Sequence, residues 1–323
     1  MVKRRKNRRK PAFFEIPAKK KFNKKEFVLE EVSFQELKEQ KKRTQAFINY
    51  YWNYYSELAL QREQIKDQIF EVLREKCISA YKFSNWQRAV KYKYSLHPLS
   101  CVGSITFIGQ RFNYGRDING NLAAFPALYI ASDKDTALQE ALGQTDNNSE
   151  KRLSSQELAL MNPQSETIVS VSGCLENVFD LRNSRGLTKF VNLVKNFKLS
   201  ASLKGQAKAL NENAPNVVEK PKQLLDSIMV PDWRQQVTLY DVPSNSQIMG
   251  HILNDAGISG VLYNSKLTGK ECITIFTENF ENTNSFVELD DDAPLEQIPS
   301  RLDSNNFKIA LMTDREILNL KSN

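Results

Sequence analysis

The chain has 323 residues, a formal net charge of +7, 41% hydrophobic and 10% aromatic residues. That supplies core for one large domain or two ordinary ones. No run approaches the roughly 18 consecutive apolar residues of a membrane span, and the basic N-terminus lacks the apolar stretch of a secretory signal, so a cytoplasmic protein away from membranes is expected. Cys77, Cys101, Cys174 and Cys272 are far apart and form no C-x-x-C, which argues against a zinc site or a disulfide framework. With only His97 and His251, His-based triads and His-rich metal sites have little to work with.

Residues 1–25 hold 12 of the 45 Lys and Arg residues against one acid, Glu15, so this segment carries +11 and the remainder −4. Such a composition builds no core, and Pro11 and Pro17 interrupt any helix. It reads either as a solubilising arm or as a nucleic-acid contact that works by counterion release. Ser33-Phe34-Gln35-Glu36 fits a capping box. No Gly or Pro then appears until Pro98, and Ile65, Ile69 and Leu73 recur at steps of four, which predicts one long helix or a helical hairpin over 34–79. Its aromatic cluster, Phe47 to Tyr55, is expected to pack on the main domain or a second copy in a homo-oligomer, rather than stack on bases.

From Trp86 short strands alternate with helices. Ala127–Ala131 predicts a buried strand, and Asp133 or Asp135 a cap for the helix carrying Ala137, Leu138 and Ala141. Thr167–Val171 predicts a strand, with Asn177–Leu181 as its expected partner. Ile258–Tyr263 and Cys272–Phe276 are two more strands, joined by a turn. Ahead of these two, after Leu181, 184–233 interrupts the rhythm with a helical stretch, Leu187–Phe197, and then a polar, Pro-containing run. The expected organisation is an arm over 1–30, a helical extension over 31–80, a main domain over 81–285 with its insertion near 184–233, and a tail over 286–323 that ends in a short strand and helix, Lys308–Leu320.

Of twelve glycines, Gly103, Gly109, Gly115 and Gly120 crowd into 18 residues, as where a backbone turns tightly or meets a ligand. They fit neither G-x-G-x-x-G nor a P-loop. Inside the cluster, Gly109-Gln110-Arg111-Phe112-Asn113-Tyr114-Gly115 places an arginine fork in a Gly-bounded loop, suited to a phosphate or carboxylate. Glu140 lies on an otherwise apolar helix face. Ser265 follows an apolar strand in Gly257–Ser265, a common place for a binding group and equally for an ordinary turn.

Together these pieces resemble the RES family, named for its Arg, Glu and Ser. Gly109–Gly115 is similar to its first motif, G-G-R-[FW]-N-x-x-G, with Gln110 in place of a Gly and one residue rather than two before the last Gly. Ala127–Ala131 and Thr136–Glu140 resemble its second, and Gly257–Ser265 with Cys272–Phe276 its third. The likeness covers Trp86–Phe280, with 116–124 and the insertion as departures.

The resemblance implies an α+β fold: an ADP-ribosyltransferase-like split sheet clasping NAD⁺, here with an N-terminal helical extension and a helical insertion. It implies cleavage of the nicotinamide–ribose bond by water or inorganic phosphate, without a metal. It also implies a toxin of a toxin–antitoxin pair, whose partner is a helix-turn-helix antitoxin. Glu140, Arg111 and Ser265 are then the expected catalytic residues. Tyr129, Asn113 and Arg88 are the expected NAD⁺-binding residues, with Arg88 as a second anion-binding arginine. Bond cleavage leaves positive charge on the ribose, which suits a carboxylate at Glu140. The alternatives are a mono-ADP-ribosyltransferase that modifies a macromolecule and a non-catalytic nucleic-acid-binding module.

Overall fold

The computed structural model describes residues 34–118, 122–142 and 166–320. The basic segment, Ser33 of the expected capping box and Gly120 lie outside the described residues. The described helices are α1 (Phe34–Gln64), α2 (Lys66–Arg74), α3 (Lys134–Leu142), α4 (Thr188–Val194), α5 (Ala201–Ala209), α6 (Pro221–Ile228), α7 (Trp233–Tyr240), α8 (Asn245–Asp255) and α9 (Asp314–Leu320). None is long and apolar enough to cross a membrane. The chain forms two compact units. One takes α1 as far as Glu57, with Lys198–Asn216; the other takes Leu58–Phe197 and the chain from Val217 onward.

In the smaller unit the aromatic cluster has a local partner. Tyr50, with Tyr51 and Tyr54 beside it, packs on Leu203 and Ala207 of α5. Burial, helped by the neighbouring Tyr54, pushes the Tyr50 phenol up to about 12. Ser200 caps α5, and Glu57 accepts from both its amide (2.9 Å) and its hydroxyl (2.5 Å). The polar run expected to follow Phe197 is thus helical in part. The signal was faint because only Leu203 and Ala207 of α5 are buried.

The helix expected over 34–79 breaks at Ile65 and ends at Arg74. Ile69 and Leu73, four apart as the sequence suggested, enter the core of the larger unit. Cys77 and Ile78, expected to be helical, form a strand instead, β1 (Cys77–Ile78), because an extended neighbour, Val178–Phe179, offers them a ladder.

The other strands of the main sheet are β2 (Tyr81–Lys91), β5 (Leu128–Ala131), β6 (Glu166–Leu175), β7 (Val178–Asp180), β8 (Gly260–Asn264), β9 (Glu271–Ile275), β10 (Phe286–Leu289) and β11 (Arg301–Leu302). Their order is β1-β7-β8-β9-β5-β2-β6-β10-β11, with β7–β8 the parallel pair. β6 and β7 were expected to pair with each other, and they do not. Ile78↔Val178 and Tyr81↔Leu175 share one register, so β1–β7 and β2–β6 are two stretches of a single bent antiparallel ladder. On its other side β2 meets β5 through one residue pair, Gln87↔Ala131. The sheet therefore consists of two halves that part between β5 and β2.

Side chains alternate across it with period two. Leu128, Ile130, Leu262, Ile273 and Ile275 enter one core cluster. Ala131, Val261, Tyr263 and Cys272 enter the other, under α2, α4 and α8, with half-buried Tyr129 packed against it. The acidic run after Leu289 begins by capping the sheet: Asp290 accepts 2.5 Å bonds from the Ser170 and Ser172 hydroxyls.

Candidate active site

The first motif forms a tight hairpin of β3 (Gly109–Gln110) and β4 (Asn113–Tyr114), with Arg111 and Phe112 at its tip. Gly109 has φ +82°, and a Cβ there would lie 2.4 Å from the Asn113 carbonyl oxygen, so a side chain is excluded. Helix α8 holds the hairpin from behind. Its capping box joins Ser244 and Gln247, and the Gln247 Nε2 also donates to the carbonyls of Ile108 (2.7 Å) and Asn113 (3.1 Å). Gly250 lets the two backbones touch: a Cβ there would sit 1.9 Å from the Phe112 carbonyl oxygen.

This mounting buries Arg111 to 6% exposure. Its Nη1 donates to the Val230 carbonyl at 2.8 Å, while its Nε is buried with no partner. An unsatisfied guanidinium donor at that depth is rare, because burial removes the water that would otherwise accept from it. Arg111 faces a cavity between the two halves of the sheet, walled by β2, β5, α3, the hairpin and the segment 231–234.

Glu140 faces the same cavity from α3. Asp133 caps that helix, accepting from the Thr136 amide at 2.9 Å; of the two candidate caps, this is the one used. Ser265 is buried and donates to Glu140 Oε1 at 2.5 Å. The Ser265 oxygen itself accepts from the amides of Leu267 (3.1 Å) and Thr268 (3.2 Å). With its lone pairs so occupied, its proton has one direction left, toward Glu140. Ser265 orients the carboxylate.

Tyr129 lines the cavity as well. Its hydroxyl donates to Asn113 Oδ1 at 2.8 Å and accepts from the Phe112 amide at 3.0 Å. Burial raises the phenol well above its usual range, although the Phe112 amide pulls the other way. The hydroxyl is thus engaged inside the fold by Phe112 and Asn113. Asn113 was expected to bind the cofactor, but it is fully buried and its amide nitrogen donates to the Ser104 and Phe125 carbonyls, both at 2.9 Å. With both ends of its amide spent inside the fold, it positions Tyr129.

Arg88 also lines the cavity, yet its guanidinium is anchored: Nε to Pro98 O (2.8 Å), Nη2 to Ser100 O (2.7 Å) and Nη1 to Tyr129 O (3.2 Å). Burial lowers its pKa. Unlike Arg111, it ties the loop before the hairpin to β5.

Sequence reasoning missed Trp233 and Arg234. Both line the cavity from the first turn of α7, at the end of the insertion. Their signal was Pro231-Asp232-Trp233-Arg234, a helix start with an arginine in its first turn, which does not reveal what that turn faces. Glu166 was missed as well. It lines the cavity from the start of β6, and burial raises its carboxyl while Lys91 and Arg88 oppose the shift.

No family model matches the chain, and no curated protein matches it. Among solved structures it is similar to the crystal structure of the M. tuberculosis MbcT–MbcA toxin–antitoxin complex. Identity is 14% and the TM-score 0.40, over 79% of this chain and 97% of that chain. At that score the likeness carries no weight, and the site stands on its own geometry.

Proposed function

We propose that the chain is a RES-type enzyme that takes NAD⁺ into this cavity, breaks its nicotinamide–ribose bond, and acts as the toxin of a toxin–antitoxin pair. The observation that carries this reading is the pairing, within one cavity, of a buried guanidinium with a donor to spare and a carboxylate fixed by a serine. NAD⁺ asks for both: an anion site for its phosphates and a negative group beside a ribose carbon that turns cationic. A sheet whose halves part where the cavity opens supports the split-sheet, ADP-ribosyltransferase-like reading of the fold.

In the proposed reaction the C1′–N bond breaks and nicotinamide leaves with the bonding electrons as a neutral molecule. The ribose becomes oxocarbenium-like, and the Glu140 carboxylate stabilises that charge as it develops. Arg111 holds a phosphate oxygen, and Tyr129 presents its ring to nicotinamide or ribose. Water or inorganic phosphate then adds at C1′; with water, one proton is released. A neutral leaving group needs no metal. The proposed protein partner is a helix-turn-helix antitoxin whose C-terminal end closes the cavity.

The test is to incubate the purified protein with NAD⁺, with and without inorganic phosphate, and with cell lysate, resolving products by NMR. Free nicotinamide is expected, accompanied by ADP-ribose if water is the acceptor, or by ADP-ribose phosphorylated on the carbon that nicotinamide left if phosphate is. ADP-ribose retained on a macromolecule would assign transfer instead, and NAD⁺ left intact throughout would overturn the proposal.

A further inference from the structure

Two places where the chain departs from the motifs it resembles meet at the rim of the cavity. One is Gln110, where the motif has a glycine; the other is the insertion, which ends by delivering Val230 to Arg234. Arg111 Nη1 donates to the Val230 carbonyl, so the hairpin tip grips the end of the insertion. One turn further on, Arg234 Nη2 donates to Gln110 Oε1 at 3.3 Å, and its guanidinium lies over the Trp233 ring, 4.5 Å from the centroid. Trp233 is buried in the core, so the platform beneath Arg234 is rigid. A glycine at position 110 would offer this arginine no side-chain acceptor.

The result is two arginines lining one cavity, near enough for the Arg111 charge to act on Arg234. Partial enclosure lowers the Arg234 pKa, the Arg111 charge lowers it further, and Glu140 pulls it back. Among the described residues no carboxylate forms an ion pair with either arginine. Like charges brought together in a partly desolvated cavity repel unless a shared anion lies between them. Arg111 lines that cavity with one nitrogen bound to the Val230 carbonyl, and Arg234 is held by a single neutral acceptor, leaving most of its fork free for an oxyanion.

We infer that Arg234, brought in by the insertion and steadied by Gln110 and Trp233, is a second phosphate-binding guanidinium that acts with Arg111 on one phosphate-bearing ligand. The ligand chemistry is a phosphate oxyanion, from the diphosphate bridge of a dinucleotide or from free inorganic phosphate. Its assignment to NAD⁺ or to the co-substrate phosphate rests on the function proposed above; the anion site itself does not.

The experiment is calorimetric titration of the full chain with ADP-ribose, inorganic pyrophosphate and inorganic phosphate, for the parent, Arg234→Gln, Arg234→Lys and Gln110→Ala. Arg234 is exposed on a surface helix, so its replacement leaves the core intact. Loss of a charge-assisted contact predicts an affinity about 10- to 100-fold weaker for Arg234→Gln, a smaller loss for lysine, and a severalfold loss for Gln110→Ala. Weakening of ADP-ribose and pyrophosphate with phosphate unchanged identifies a diphosphate site. Weakening of phosphate alone identifies a free-phosphate site. Unchanged affinity of Arg234→Gln for all three ligands, or a parent protein that binds none of them, would overturn the inference. Nicotinamide release distinguishes the two proposals. Anion affinity that depends on Arg234 without any NAD⁺ cleavage would sink the enzyme and leave the site standing. NAD⁺ cleavage by the parent, with Arg234→Gln keeping the parental affinity for all three ligands, would do the reverse.

Discussion

Two regions of the cavity wall each enclose an arginine, and they use it in opposite ways. Where β2 meets the loop at 98–100, Arg88 spends its guanidinium on three backbone carbonyls. At the hairpin tip Arg111 reaches one carbonyl and keeps a buried nitrogen with no partner. Both line the same space, and the sequence marked both as anion ligands. The difference lies in acceptors. An enclosed cation whose donors are filled from within is part of the scaffold; one with a donor left over has a vacancy that a ligand's oxygen would fill.

The same substitution at both positions breaks or upholds this contrast. Arg88→Met should destabilise the fold by about 3 kcal/mol or more, because it strands several buried carbonyls at roughly 1–3 kcal/mol each. Arg111→Met should stay within about 1 kcal/mol of the parent, since it removes an unsatisfied donor along with one bond, while ADP-ribose affinity falls at least tenfold. Chemical denaturation and calorimetry on both variants measure this directly. Equal destabilisation with equal loss of binding would erase the distinction.

A smaller effect sharpens the account from the far end of the cavity. Burial raises the Glu166 carboxyl above its usual value of 4.5. The folded state therefore holds this proton more tightly than the unfolded chain. The stability that the proton contributes is present below the ordinary carboxylate range and is lost as pH rises through the folded value. Glu166→Gln should thus raise Tm at pH 7, and the gain should vanish in acid. After solvent screening it amounts to a fraction of a kcal/mol, on the order of 1 °C. A gain that persists unchanged at pH 4 would assign it to something other than charge.

What the sequence revealed follows from how local each signal was. Gly109, Arg111 and Gly115 form one hairpin, Asp133 and Glu140 one capped helix, and Ser265 ends one strand, so local spacing placed each piece. Whether Asn113 faces a ligand or the fold interior depends on carbonyls at Ser104 and Phe125, which no spacing reveals. Arg234 lies 123 residues beyond Arg111 in the chain and reaches its wall through the path of the insertion. The bent ladder was illegible for a related reason: Leu175 and Val178 are close in sequence yet belong to different halves of the sheet.

The central claim is that Glu140, aimed by Ser265, works on a ligand anchored by the arginines. Glu140→Gln tests it most directly, because the amide keeps an oxygen for Ser265 and removes the charge. Nicotinamide release from NAD⁺ and ADP-ribose affinity are measured on the same preparation. The account predicts that release falls by about 100-fold or more while ADP-ribose binds within roughly threefold of the parent. A variant that binds ADP-ribose and still releases nicotinamide at the parental rate would contradict it.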